Sequence, residues 1–465
     1  MRLSGLKEPL GPALRKTGVL PHLRALRGRS IRLVRQCGRL RNSNGSSRSV
    51  VSSRLYSMSA DGMPTWFGYY DKTPFSGDDS RILAMAMTCE KDWTDAALRR
   101  PLRLGYFEWS QVADGRPTFH PFGRTETWCW QQGCMLQWFG AEADRLVLYN
   151  RLVDGQYGCV VQDVFTGEVE ASYTVPIYAI DPAGRWGVGL NFSRLERLRP
   201  GYGYGNFPDE TAAEACPADD GLWRIDLTTG ETEMLLSLRQ IADLRPLPCM
   251  ADGPHYINHL LFAPDGRGLV FLHLWLPQGR RMNRLMFCDF DDGSLHVVDD
   301  AATASHFNWL ADDRLICFRY PHEGTPGYYE YTFGPDRTFA CSPMPAAMPA
   351  EDGHPSLSPA GDLLVTDTYP DHAGDQSLLI YSRQQETLRQ AGTFFSPFRY
   401  RGSRKYHLHP RWDRTGSRIC FDSVHRNRRT MSVLVCDAVI TGTTSPMPTI
   451  TRTSITAAIA DSVAR

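Results

Sequence analysis

Four of the thirteen histidines occupy one repeated place, three residues before an apolar or aromatic residue that opens a short turn. They are His259 before Phe262, His306 before Trp309, His354 before Leu357 and His409 before Trp412. Two more fall beside them. His407 precedes His409 by two residues and His255 precedes His259 by four, and on an extended chain such even spacings share a face. Imidazoles gathered in this way can hold a divalent metal through neutral nitrogens, or act as acid and base near neutral pH. Spacing alone does not decide between these uses. A purely structural reading also stands, in which each histidine is a hydrogen-bonding prop, but a prop should recur in most repeats and these fill one contiguous run.

Other polar residues lie within reach. Asp352, Arg404, Lys405 and Tyr406 stand just ahead of their histidines, and Arg399 and Arg401 belong to the segment leading into the last copy. Arg199, Tyr202 and Tyr204 lie in the insertion RLERLRPGYGY. An arginine can clamp a carboxylate through two parallel hydrogen bonds, and a tyrosine can transfer a proton. Taken singly, each also reads as ordinary solvated surface. Trp128, Trp130 and Trp138 read as core rather than as platforms for sugar rings.

The elements that position these side chains follow from the turn itself. Seven copies begin at Phe75, Trp138, Ile180, Phe262, Trp309, Leu357 and Trp412, each followed by Ser, Pro, Asp or Gly and then a β-rich run such as LVFLHLW or ICFDSV. Proline presets φ, aspartate caps the turn and glycine accepts positive φ, so two strands fold back on each other. Third and fourth strands follow most copies, as in RLMFCDFDDGSLHVV, which makes each unit one four-stranded blade. The fold expected is all-β, a seven-bladed β-propeller. Lys72, Met135, Ile177, His259, His306, His354 and His409 then share one register at the mouth of the central channel, with imidazole in one sector and apolar side chains in the other. Lys72 of the first blade closes the ring beside the seventh.

The division expected is a basic, largely disordered leader over 1–60, the propeller over 61–445 and a tail over 446–465. A true start at Met58 or Met63 fits the sequence equally well. With 42% hydrophobic and 11% aromatic residues the chain can bury a sizeable core. Its net charge of zero hides an asymmetry: residues 1–57 carry 13 Lys and Arg against Glu8 alone, leaving 38 basic and 50 acidic residues in 58–465. So acidic a body argues against nucleic acid as partner, since phosphate neutralisation needs a basic surface. An anionic ligand would need a local cationic pocket. The scattered cysteines read as buried thiols, with no CxxC pair among them. No run approaches the roughly 18 apolar residues of a membrane span, and no secretory signal is recognisable, which favours a cytoplasmic location or leaves it open. A monomer is expected.

The segments HYINHLLFAPDG, SHFNW, GHPSLSPAGDLLVTDTYPD and above all HLHPRWDRTGSRICFDSVH resemble the propeller-type polysaccharide lyases, of the oligogalacturonate lyase and ulvan lyase kind, over roughly 66–440. The resemblance implies β-elimination of uronic-acid-containing oligosaccharides, with an acidic oligosaccharide or polysaccharide as partner and one divalent metal, Mn2+ or similar. It implies His407, His409 and His306 as metal ligands and His255 or His259 as base; Tyr204 and Arg199, from the insertion, are expected as further catalytic groups. His354, Arg404, Arg401 and Lys72 are the expected substrate contacts. One departure matters: the glutamine ligand of the oligogalacturonate lyase pattern falls at Arg404. That exchange suits the ulvan-cleaving relatives, which neutralise the substrate carboxylate with arginine and use His and Tyr for proton transfer. Two rival readings remain open: a propeller that binds glycan or protein without turnover, and a metal-assisted hydrolase using the same histidines.

Overall fold

The computed structural model describes residues 55–88 and 100–436. These residues form seven four-stranded antiparallel sheets arranged as the blades of a propeller. Blades 1 to 6 take their strands in chain order, over 65–125, 137–173, 179–237, 255–299, 302–343 and 356–395. Blade 7 differs. Its three inner strands span 411–435, and its outermost strand is Leu55–Met58, paired antiparallel with Thr430–Val435. The two ends of the ring are thus closed by hydrogen bonds between the first strand and the last.

This closure corrects the expected boundary at residue 60, since Leu55–Met58 belongs to the ring. A chain beginning at Met63 would lack the closing strand. The expected leader up to Arg54 and the expected tail lie outside the described residues.

Burial falls from the axis outward. In blade 4 the second strand, Gly268–Trp275, is buried at every residue because neighbouring blades cover both of its faces. The outermost strand of blade 2, Val169–Tyr173, has no fully buried residue. The turn residues behave as their chemistry requires. Gly266 and Gly416 adopt φ of 75° and 71°, and Asp413 accepts the N–H groups of Ser417 and Arg418 at 2.9 and 3.0 Å. Anchor tryptophans tie one blade to the next: Trp138 Nε1–H donates to Pro74 O at 2.8 Å, and Trp412 Nε1–H donates to Ser356 O at 3.1 Å.

Two departures from regularity shape the channel mouth. In blade 3 the insertion lies between the second and third strands, Trp186–Leu190 and Gly221–Asp226, and carries the helix Phe192–Leu198 followed by Arg199. In blade 1 the inner strand pairs at Trp66 with Met85 and again at Phe75 with Ile82. Residues 67–74 therefore leave the ladder as an excursion on the channel side. The ten cysteines of the described residues are free thiols, Cys317, Cys420 and Cys436 among the buried ones. Among the described residues no helix is long and apolar enough to cross a membrane.

Candidate active site at the channel mouth

The common register brings the histidines together. His259, His306, His354, His407 and His409 are each at most 5% exposed. Ring centroids of His354 lie 4.0 Å from His306, 4.3 Å from His409 and 5.0 Å from His407. Local backbone irregularity aims them. The ladder shifts register between Asn258 and Leu261 in blade 4 and between Ala304 and Phe307 in blade 5, bulges that turn a side chain out of the alternating pattern. His259 and His409 adopt φ of 57° and 47°, in the left-handed region. An L-residue there costs about 1–3 kcal/mol, which the surrounding packing must offset.

Hydrogen bonds fix which nitrogen faces the centre. His409 Nδ1–H donates to the Gly68 carbonyl at 2.9 Å, so its Nε2 keeps a lone pair. His354 Nδ1 is 2.7 Å from Asp367 Oδ1, and His306 Nδ1 is 2.9 Å from Asp352 Oδ1. A carboxylate accepts, so both rings carry a proton on Nδ1 and turn Nε2 the other way. The Nε2 atoms of His354 and His409 are buried with no hydrogen-bond partner. One ligand atom from each of His354, His407 and His409 lies within 4.8 Å of the other two, so small ring rotations would bring all three onto one ion. Asp367 does double duty, since its Oδ2 also accepts the backbone N–H groups of Leu408 and His409 at 2.9 and 3.1 Å.

Burial sets the protonation states. It pushes His259, His407 and His409 well below the ordinary imidazole range, with neighbouring histidines and cations adding to the effect. His306 is lowered to about 4, by burial first and then by His354, against the opposing pull of Asp352. These rings are neutral at neutral pH and available as lone-pair donors.

Above the histidines opens a cavity of about 520 Å³. His259, His306 and His407 line it, together with Tyr69 and Tyr369. Four cations line it too: Arg199 from the blade 3 insertion, Arg281 from blade 4, and Arg401 and Lys405 from the segment entering blade 7. Asp352 is the one carboxylate on its wall, and it is occupied by His306 and by Ser305 Oγ–H at 2.6 Å. The cations leave a mark on Tyr202: burial would raise its phenol, but Lys405, Arg199 and Arg281 together hold it below the ordinary value.

Several residues singled out from the sequence are not brought here. His255 is committed at both nitrogens, to His273 Nε2 at 2.8 Å and to Met250 O at 2.7 Å, and does not line the cavity. Tyr204 is buried against Phe192, with ring centroids 4.2 Å apart, and its hydroxyl accepts from Asn150 Nδ2–H at 2.9 Å. Lys72 turns to Asp71 and lies over the Tyr178 ring, while Arg404 leaves the wall to its neighbour Lys405. His354, read as a substrate contact, sits with His407 and His409 where His306 was expected. His255 and Tyr204, expected as catalytic, and Lys72 and Arg404, expected as substrate contacts, thus do not line this cavity. Asp367, Tyr69, Tyr70, Tyr369 and Arg281 were not singled out. Asp367 carried a signal, because TDTYPD places it as FDS places Asp422: after the anchor pairs Leu357↔Leu364 and Trp412↔Ile419, each is the third residue onward.

No family model matches the sequence, and no curated protein matches it. Solved structures do. An oligogalacturonate lyase in complex with manganese aligns at a TM-score of 0.55 and 16% identity, covering 83% of this chain and 96% of the other. The oligogalacturonate lyase of Vibrio parahaemolyticus aligns at 0.55 and 13%, covering 84% and 98%. The likeness is one of fold. TolB from Acinetobacter baumannii aligns more loosely, at 0.34 and 15%, over 63% of this chain and 60% of the other.

Proposed function

We propose that this chain is a lyase that cleaves uronate-containing oligosaccharides by β-elimination in the cavity at the channel mouth. The observation that carries the reading is a charge inversion: four cations and one occupied carboxylate line a sugar-sized cavity in a body whose acids outnumber its bases. Such a site selects an anionic ligand of a few sugar rings. The two oligogalacturonate lyase neighbours agree with it.

The reaction asks for three things. A C5 proton must be abstracted, the charge that develops on the uronate carboxylate must be offset, and the departing O4 must be protonated. His306 is the proton acceptor of this proposal: it lines the cavity, presents an unprotonated Nε2, and is held at Nδ1 by Asp352. As its lone pair takes the C5 proton, the C5–H electrons form the C4–C5 double bond and the C4–O4 bond breaks, and the His306 imidazolium so formed returns the proton to O4, which leaves as a hydroxyl. Arg199 and Lys405 hold the substrate carboxylate and orient C5 toward His306. His354, His407 and His409 have the donor set that suits a divalent cation such as manganese, with the Nε2 atoms of His354 and His409 buried and unpartnered, and such an ion would act there as a Lewis acid on the carboxylate.

The test is direct. Incubation with oligogalacturonates and ulvan-type fragments should raise ultraviolet absorbance as the conjugated double bond forms. The product masses should sum to that of the substrate with no added water. Added water would make the protein a hydrolase, and saturable binding without product would make it a carbohydrate-binding ring.

A further inference from the structure

The channel-side edge of an innermost strand has no ladder partner, so its backbone groups need hydrogen bonds from elsewhere. At Phe307, the residue after His306, one side chain takes both. The Tyr70 hydroxyl accepts the Phe307 N–H at 2.9 Å and donates to the Phe307 C=O at 2.8 Å. Tyr70 belongs to blade 1 and Phe307 to blade 5, so this contact crosses the channel. The blade 1 excursion over residues 67–74 makes the crossing possible.

The root of the excursion is fastened to blade 7. Asp422 accepts the N–H groups of Phe67 and Gly68 at 3.1 and 3.4 Å, and Arg411 Nε–H donates to Tyr69 O at 3.0 Å. The Gly68 carbonyl accepts His409 Nδ1–H. Gly68 has φ of 137°, and a Cβ there would lie 3.0 Å from the Gln132 carbonyl oxygen, so only glycine fits without a backbone shift. The Tyr70 ring then stands among the imidazoles, 5.1 Å from His354, 5.6 Å from His259 and 5.9 Å from His306.

We infer that Tyr70 is a positioning residue, a strut across the channel that pins the blade 5 bulge and so aims His306 into the cavity. The inference rests on His306 being the proton acceptor. The strut acts through the backbone: Tyr70 removes the freedom of Phe307 to slide along the unpaired edge, and with it the freedom of His306 to turn with the bulge. It ties the arm holding His409 to the arm holding His306, so the two halves of the reaction keep their spacing.

The experiment uses Tyr70→Phe in the full chain, which keeps the ring and removes only the hydroxyl. The turnover number should fall roughly 10- to 100-fold, the scale of an ångström-sized misplacement, with KM within about twofold. Bound manganese per chain should match wild type, and in metal-free protein the His306 ring-nitrogen NMR signals should broaden or shift. Unchanged turnover with unchanged His306 signals overturns the strut, and so does equal loss of manganese and turnover, which would mark a general prop for the floor. Amide exchange in the wild-type protein gives an answer independent of the variant's folding: Phe307 N–H should be strongly protected, and fast exchange there overturns the inference. A wild-type protein that forms no unsaturated product would overturn the lyase reading instead, leaving the Phe307 exchange and His306 signals to judge the strut.

Discussion

Blades 4 to 7 and blades 1 to 3 offer the same register position to the channel, and fill it with opposite chemistry. One arc presents His259, His306, His354 and His409; the other presents Lys72, Met135 and Ile177. The backbone does not make the difference. Met135 adopts φ of 57°, like His259 at 57° and His409 at 47°, so the left-handed turn occurs on both arcs and does not mark the site. Nor do the staples between blades. Asn150 in blade 2 accepts the Ile177 N–H at 2.9 Å, as Asp367 in blade 6 accepts the His409 N–H at 3.1 Å, from an equivalent place on the second strand. What separates the arcs is that the staple in blade 6 is ionisable and the side chain it serves is an imidazole. A structural device thereby becomes the group that orients a ligand.

Substitutions on the two arcs should break along this line. His306→Ala removes the proposed proton acceptor and should lower elimination roughly 10²- to 10⁴-fold, read from the absorbance assay. Ile177→Val at the equivalent place should cost about 0.5–1.5 kcal/mol of stability in denaturant titration and leave the rate within about twofold. Asp367→Asn comes next. It replaces an acceptor of four hydrogen bonds, from His354 N–H, His354 Nδ1–H, Leu408 N–H and His409 N–H, with a group that must also donate. Manganese affinity, measured by calorimetry, should fall about 10- to 100-fold, the usual cost of losing the partner of a metal-bound imidazole. The same change at Asn150, to Asp, should not alter it.

The cationic wall sharpens the contrast with the acidic body. Arg199→Gln should raise KM about tenfold and lower turnover as well, because the group that holds the carboxylate also offsets the charge that develops there in the transition state. The effect of salt should shrink with it. Raising ionic strength screens exposed charges over roughly 8–10 Å, so wild-type KM should climb with salt more steeply than that of the variant.

The ring was legible because its signal is repeated: each of the seven anchors heads a blade, and alignment on them yields the histidine column directly. The closing strand was not. LYSM is four residues long, follows a basic stretch and finds its pattern only against Thr430–Val435. His255 misled for a physical reason. Residues four apart share a face only on an unbroken strand, and the bulge at His259 puts two residues opposite Phe271, which reverses the parity. Which three imidazoles would meet was beyond spacing, because His306 and His354 differ in their partners and not in their register. The aromatic pair Tyr69–Tyr70 carried no signal of its own, since Phe307, the partner of Tyr70 across the channel, lies 237 residues away.

The smallest effect on turnover should come from the histidine pair that shares a strand pairing with the site yet takes no part in it. Arg284 Nε–H donates to His273 Nδ1 at 3.1 Å, which leaves the His273 proton on Nε2 to donate to His255 Nδ1 at 2.8 Å, and His255 Nε2–H to donate to Met250 O at 2.7 Å. The chain of donors runs one way and requires both rings neutral. Burial agrees, pushing His273 well below and His255 below the ordinary imidazole value, with Arg284 reinforcing both. Unfolded, each ring would titrate near pH 6.5. The unfolded state therefore binds more protons below that pH, and stability present at neutral pH is lost as the pH falls from about 6.5 toward the folded values. His273→Leu should cost about 1–3 kcal/mol at neutral pH by stranding Arg284 and His255, and should flatten the decline of the unfolding midpoint between about pH 6.5 and 5. Elimination at saturating substrate should stay within about twofold of wild type. A large fall in turnover would mean that the His255 pair feeds protons to the cavity after all, and that imidazoles of blade 4 cannot be divided into prop and site.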